Sequence, residues 1–221
     1  FVPSGALDPS CLIIYVHGGG WVNCDTVTHG AIMTDLAALT GYEVWGPDYP
    51  LAPEHVYPAG LDAVWALITQ AASERPDAEI VIGGDSAGAN LALAATLRMR
   101  DEGKGGLIKA MLLWYGCYRN EFETRSHRAY GGGAHGLETV AVKRMWDWYL
   151  DDHPNPTYGD LTSAAMNGLP PAYLCEAELD CLADDTKWLA DLLAKEGINF
   201  AYEFFPDVNH GFIHFGEFYE P

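Results

Sequence analysis

Short apolar runs alternate along this chain with longer segments in which apolar residues recur at helical spacing. The apolar runs predict six strands, over residues 11–16, 43–45, 79–82, 109–114, 172–175 and 200–205. The helical patterns predict four helices, over residues 62–72, 87–100, 138–150 and 183–196. This alternation favours a mostly parallel sheet with helices on both faces. In such sheets, functional sites form at the carboxyl ends of the strands.

Length and patterning predict how the chain is organised. Its 221 residues, 49% of them apolar, suit one domain over residues 1–221. No run approaches the roughly 20 apolar residues that a membrane helix needs, and no signal-peptide pattern follows Phe1. Residues 119–137 lack clear periodicity, so we expect an irregular excursion over the site there.

Charge and cysteine usage restrict the classes of partner. With 12 basic and 31 acidic residues, the formal charge of −19 would repel phosphate backbones and anionic membranes, so neither nucleic acid nor a membrane is an expected partner. The cysteines are odd in number and lack paired spacing, which is typical of reduced thiols in a cytoplasmic protein. They are Cys11, Cys24, Cys117, Cys175 and Cys181. No cluster has metal-ligand spacing, so we predict no metal and no cofactor.

A G-x-S-x-G pentapeptide at residues 84–88 follows the third predicted strand directly. Such a pattern occurs in plain turns, but between a strand and a helix it forms a nucleophile elbow that holds a serine Oγ above the sheet. The next segment, rich in alanine and leucine, would place its helical N-terminus beside Ser86. The sequence therefore predicts Ser86 as a nucleophile.

Three consecutive glycines follow the first predicted strand, in the run His17-Gly18-Gly19-Gly20-Trp21. Glycines let backbone amides turn inward toward an anion. A flexible loop is the alternative, and a phosphate loop is disfavoured because no Gly-Lys-Ser/Thr follows. Because this loop and the elbow both follow strands, the amides of Gly19, Gly20 and Ala87 are predicted to bind an oxyanion formed by attack of Ser86.

Six sequence motifs are distributed over nearly the whole chain. They are HGGGW at 17–21, DYPLAPEHVYPA at 48–59, GDSAGAN at 84–90, LPP at 169–171, ELDCLAD at 178–184 and NHGF at 209–212. In these motifs the chain resembles the hormone-sensitive-lipase group of α/β-hydrolases, the bacterial esterases with an HGGG motif. The resemblance implies an α/β-hydrolase fold and a serine carboxylesterase that hydrolyses short-chain acyl esters.

A serine nucleophile needs a base and an acid that orients the base, and this fold places them in the chain order Ser, Asp, His. Asp180 and His210 match the family motifs in that order. On residues alone, Asp180 is equally suited to cap the following helix and His210 to a surface loop. The resemblance assigns them the catalytic roles, although Cys181 stands where the family usually has proline.

The resemblance also indicates what the given chain lacks. Family members usually carry several dozen residues before HGGG, supplying two strands and a helical cap, whereas sixteen residues precede His17 here. We therefore expect the N-terminal strands and cap to be reduced or missing, with strand 43–45 at an unprotected edge. Either the chain is a fragment, or it is a small open esterase that forms a homodimer through that edge and accepts bulky alcohol groups.

Two alternatives to the esterase hypothesis stay open. The same fold and triad cleave amides or formamides, and the sequence does not separate these substrates from esters. The other alternative is a non-catalytic receptor for a small molecule, because plant hormone receptors resemble this family. Those receptors lose the catalytic histidine, whereas this chain keeps His210.

Overall fold

A computed structural model of the chain describes residues 1–3, 5, 7–153 and 156–218. Six parallel strands form one sheet in the order β2-β1-β3-β4-β5-β6. The strands are β1 Cys11–Val16, β2 Glu43–Trp45, β3 Glu79–Asp85, β4 Ile108–Trp114, β5 Ala172–Leu179 and β6 Phe200–Asn209. All six predicted strands are present, and β3, β5 and β6 continue beyond their predicted ends.

In the described part of the chain, six α-helices connect or flank these strands. They are α1 Gly30–Thr40, α2 Ala59–Glu74, α3 Ala87–Asp101, α4 Arg125–Tyr130, α5 Thr139–Leu150 and α6 Ala183–Lys195. The four predicted helices correspond to α2, α3, α5 and α6 within a few residues at each end. Helix α1 was not predicted, and α4 corrects the expectation that 119–137 is irregular throughout. Among the described helices, none combines the length and apolarity that crossing a membrane requires.

The sheet is covered on both faces, as the alternating pattern predicted. Alternate residues of β1 face opposite sides: Leu12 and Ile14 pack in the large core, whereas Ile13 packs with Met33 and Ala37 of α1. Helix α3 lies deepest, and twelve of its fifteen residues are buried. Its run of alanines keeps the helix narrow, so that α3 packs against β1, β3 and β4 on one side and α2 on the other.

The sheet has β2 at one edge and β6 at the other. The prediction that strand 43–45 is an edge is confirmed, but its description as unprotected is wrong at Val44. There the Phe1 amino group donates to the Val44 carbonyl at 2.8 Å, and the Val44 amide donates back to the Phe1 carbonyl at 2.9 Å. The homodimer expected through this edge stays a prediction.

The glycine at the start of α3 is required by close backbone approach, and this yields a stability prediction. A Cβ on Gly88 would lie 2.0 Å from the Val16 carbonyl oxygen and 2.5 Å from that of His17. Both are main-chain atoms, one at the end of β1 and one in the residue that follows it, so they cannot rotate away. We expect Gly88→Ala to lower the free energy of unfolding by about 3 kcal/mol, the upper end for overpacking, in urea titration.

The matched control is Gly106→Ala, because a Cβ there meets no atom within 4 Å. We expect that variant to unfold at the wild-type urea concentration. Equal unfolding midpoints for the two variants would contradict the close approach at Gly88.

Candidate active site

Ser86 occupies a strained turn between strand and helix. Strand β3 ends at Asp85, α3 begins at Ala87, and Ser86 between them has φ 54° and ψ −122°. A non-glycine residue rarely adopts this conformation, and such strain is concentrated at functional sites. The Ser86 amide is fixed by donating to the Trp114 carbonyl at 2.9 Å. This is the geometry of the predicted nucleophile elbow.

His210 and Asp180 lie beside Ser86, although 94 residues or more of chain separate each of them from it. Asp180 directly follows β5 and His210 directly follows β6, so both stand at carboxyl ends of strands. His210 Nε2 is 2.9 Å from Ser86 Oγ, and His210 Nδ1 is 2.7 Å from Asp180 Oδ2. The structure thus brings together Ser86, His210 and Asp180, the three residues that the sequence analysis predicted as nucleophile, base and orienting acid.

The Asp180 carboxylate is positioned to fix the proton on His210. Its side chain is fully buried, and Oδ1 accepts a hydrogen bond from the Leu182 amide at 2.9 Å. Because a carboxylate only accepts, Nδ1 must carry the proton, which leaves Nε2 free to accept one from the Ser86 hydroxyl. Burial alone would lower the pKa of His210, but the charge and hydrogen bond of Asp180 outweigh it and raise that pKa above its ordinary value.

The glycine loop presents two backbone amides next to this group. Gly19 and Gly20 have φ of +103° and +61°, a region that favours glycine. The Gly18 amide is engaged by Asp85 Oδ1 at 2.9 Å, whereas the amides of Gly19 and Gly20 donate to no other residue in the described part of the chain. Ala87 is the first residue of α3, where amides lack helical partners.

Asp85 ties the glycine loop to the elbow. Its Oδ1 accepts from the Tyr15 hydroxyl at 2.7 Å as well as from the Gly18 amide at 2.9 Å. Burial alone would raise the pKa of Asp85, but the hydrogen bonds that its carboxylate accepts outweigh it and hold that pKa well below its ordinary value; the imidazoles of His214 and His29 lie beside the same carboxylate, at 3.6 and 3.4 Å. The sequence analysis did not identify His29 and His214 as neighbours of Asp85, because residues 29, 85 and 214 are far apart in the sequence and form no local motif.

A cavity of about 220 Å³ opens at Ser86. His210, Gly19, Gly20 and Ala87 line it together with Ser86, so all the predicted site residues except buried Asp180 face one space. The apolar part of the lining includes the side chains of Leu137, Val142, Met145 and Leu182. Two of these, Val142 and Met145, belong to α5, and Leu182 directly precedes α6.

The excursion at 119–137 covers the site less than expected. Of its residues, only Leu137 lines the cavity. Helix α4 is instead tied to the start of α6, because the Ser126 amide donates to Asp184 Oδ2 at 2.8 Å and the Ser126 hydroxyl donates to the Cys181 carbonyl at 2.7 Å. The segment therefore packs behind residues that line the cavity and does not cover the cavity itself.

Known proteins match this chain along most of its length. The family model for the alpha/beta hydrolase fold matches residues 13–214. An acetyl esterase of Salmonella schwarzengrund is 35% identical over 213 residues, which are 92% of this chain and 66% of that protein. An acetyl esterase of Salmonella typhi is 35% identical over 212 residues, 92% of this chain and 65% of that relative. The chain thus spans just under two thirds of these relatives.

Solved structures extend the same likeness to the fold. A hyperthermophilic esterase from the archaeon Pyrobaculum calidifontis superposes with a TM-score of 0.89 at 30% identity, covering 93% of this chain and 68% of the other. An esterase from the bacterial hormone-sensitive lipase family superposes with a TM-score of 0.92 at 28% identity, covering 99% of this chain and 73% of the other. The fold class expected from the motifs is confirmed.

Proposed function

Because this chain belongs to the α/β-hydrolase family, and within it to the hormone-sensitive-lipase-like group, we propose that it is a serine carboxylesterase of short-chain acyl esters. The observation that carries the proposal is the hydrogen-bonded series from Ser86 Oγ to His210 Nε2 at 2.9 Å and from His210 Nδ1 to Asp180 Oδ2 at 2.7 Å. Such a series converts a neutral hydroxyl into a nucleophile at the moment of attack.

In the proposed reaction, Ser86 Oγ attacks the ester carbonyl carbon while its proton passes to His210 Nε2. The tetrahedral intermediate collapses when the carbon–oxygen bond to the alcohol breaks and His210 returns the proton to the departing alcohol oxygen. The acyl group then remains on Ser86. Water, deprotonated by His210, attacks that acyl carbon, and the acid leaves as Ser86 regains its proton. The Asp180 carboxylate stabilises the imidazolium of His210 in both halves of the reaction.

The developing negative charge is assigned to the amides of Gly19, Gly20 and Ala87. They line the same cavity as Ser86, and the two glycine amides donate to no other residue that the structure describes. Free donors fixed in place before reaction stabilise an oxyanion without reorganising, which is commonly the largest electrostatic contribution to such catalysis. The Asp85 carboxylate supports this arrangement by holding the neighbouring Gly18 amide.

The preference for short acyl groups rests on the size of the space beside Ser86. The cavity of about 220 Å³ is bounded by Met145, whose sulfur would lie 2.2 Å from a Cβ added at Gly20. Met145 therefore packs directly on the glycine loop and limits the space beside Ser86 that an acyl chain could occupy. The relatives named acetyl esterase agree with a small acyl group.

Labelling with a fluorophosphonate tests the proposal, because this reagent reacts only with an activated serine. We expect one adduct per chain, located on Ser86 by peptide mass spectrometry, and none in Ser86→Ala. Ser73→Ala is the matched control, since Ser73 is exposed on α2, and it should label like the wild type. Absence of labelling in the wild type would favour a non-catalytic receptor.

Amide hydrolysis is the second candidate function, because the same triad serves both substrates. Rates on p-nitrophenyl acetate and p-nitroacetanilide, which share their acyl group, separate the two. We expect the ester to be the faster substrate, and a faster anilide would reassign the protein as an amide hydrolase.

A further inference from the structure

Three potential metal ligands converge on one wall of the cavity, from three distant segments of the chain. They are His29, which precedes α1, Asp85 at the end of β3, and His214 near the C-terminus. One ligand atom from each lies within 4.8 Å of the others. All three residues line the cavity that contains Ser86, and the mechanism proposed above uses neither imidazole.

The hydrogen bonds around His29 determine which of its ring nitrogens is free. The Thr28 hydroxyl donates its proton to the Asp25 carbonyl at 2.8 Å, and Thr28 Oγ1 lies 3.0 Å from His29 Nδ1. Since that proton is already used, Oγ1 must accept from Nδ1, which therefore carries the hydrogen. The Nε2 atom is left with a lone pair, consistent with the Gly18 amide directed at it from 3.3 Å.

This arrangement matches what metal-binding histidines require. Such a histidine almost always donates through its second nitrogen to an outer oxygen, which fixes the ring and leaves the first nitrogen to bind. In His29 the outer oxygen is Thr28 Oγ1, and the ring is buried, with 2% of its side chain exposed. Nε2 of His29 thus lies 3.4 Å from Asp85 Oδ1 with its lone pair, and the Gly18 amide that approaches both atoms makes its shorter hydrogen bond to Oδ1, at 2.9 Å.

The separations within the cluster are too long for ordinary hydrogen bonds and suit a bridging cation. His29 Nε2 lies 3.4 Å from Asp85 Oδ1, and His214 Nε2 lies 3.6 Å from Asp85 Oδ2. Ligands bound to zinc at about 2.1 Å in a tetrahedral arrangement are themselves roughly 3.4 Å apart. Each imidazole thus lies beside a different oxygen of the Asp85 carboxylate, His29 beside Oδ1 and His214 beside Oδ2.

We propose that His29 Nε2, the Asp85 carboxylate and His214 Nε2 form a binding site for one Zn²⁺ ion, with its remaining coordination position open to the active-site cavity. Two imidazoles and one carboxylate are a ligand set that zinc takes in proteins. His214 completes the site by a small side-chain movement, for which its 29% exposure leaves room. The ion shares the cavity with Ser86, so its binding occupies space next to the substrate.

The test measures metal binding by the full chain and needs no substrate. After treatment with a chelator, the protein is titrated with Zn²⁺ by calorimetry and with Co²⁺ by visible absorption. We expect one ion per chain, with Co²⁺ bands that Zn²⁺ abolishes. His214→Ala and His214→Gln should each weaken binding by about tenfold or more, the least that loss of even an outer partner commonly costs. Two substitutions guard against a folding defect in either one.

Two control variants decide what the binding means. His55→Ala removes an exposed histidine and should bind like the wild type. Cys24→Ser removes a thiol that lines the same cavity, and it should bind like the wild type as well. Binding that is absent in the wild type, that persists unchanged in both His214 variants, or that is lost with Cys24 would overturn the proposed site.

Discussion

Replacing Ser86 with alanine is expected to lower kcat for p-nitrophenyl acetate by on the order of 10⁶-fold, the loss seen when the nucleophile of a serine triad is removed. Without Oγ no acyl-enzyme forms, and His210 alone has no covalent route to the ester. The small residual rate would come from the amides of Gly19, Gly20 and Ala87, which still bind a developing oxyanion. Steady-state kinetics with enzyme concentrations raised to match the loss provides the measurement.

The substitution removes the hydroxyl oxygen and does not change the backbone conformation that residue 86 must adopt, so folding should be preserved. Ser86 is held by its own amide, which donates to Trp114, and by Gly84 and Gly88 on either side. Circular dichroism and a urea titration are expected to match the wild type. Activity retained in a correctly folded Ser86→Ala would contradict the role of Ser86, whichever ester is used.

The sheet and the site could be predicted because they depend on local sequence. Each strand is a short apolar run, and even the edge strand β6 shows this pattern, although most of its residues are exposed. The site residues follow the strands at their carboxyl ends, so Ser86, Asp180 and His210 could be placed together from strand positions alone. The family motifs then selected these three among other polar residues.

Features that depend on contacts between distant segments could not be predicted. Helix α1 buries only Met33 and Ala37, so its apolar stripe is too narrow to stand out in the sequence. Strand β5 runs past its predicted end through Glu176, a polar residue that is 1% exposed and paired with Lys187 at 2.8 Å. The approach of His29 and His214 to Asp85 likewise exists only in the folded chain.

Replacing Asp180 with asparagine is expected to reduce kcat by about 10⁴-fold while changing the shape of the substrate pocket very little. The asparagine oxygen can still accept from the Leu182 amide, as Asp180 Oδ1 does at 2.9 Å. Its amide group, however, would donate to His210 Nδ1, which moves the imidazole proton to Nε2. A protonated Nε2 cannot accept the Ser86 proton, so the base is lost although all three side chains remain in place.

The pH profile of the residual activity distinguishes this electrostatic effect from a packing defect. In the wild type Asp180 raises the pKa of His210, so activity should fall on the acid side as His210 becomes protonated near a pKa above its ordinary value. Removing that negative charge lowers the pKa of His210, and the acid limb of kcat/KM should move to lower pH in Asp180→Asn. The exposed Asp191→Asn on α6 removes the same charge elsewhere and should leave both rate and profile unchanged. An acid limb that stays at the wild-type pH in Asp180→Asn would mean that Asp180 does not set the protonation of His210, and its buried carboxylate would then serve only to hold the turn after β5.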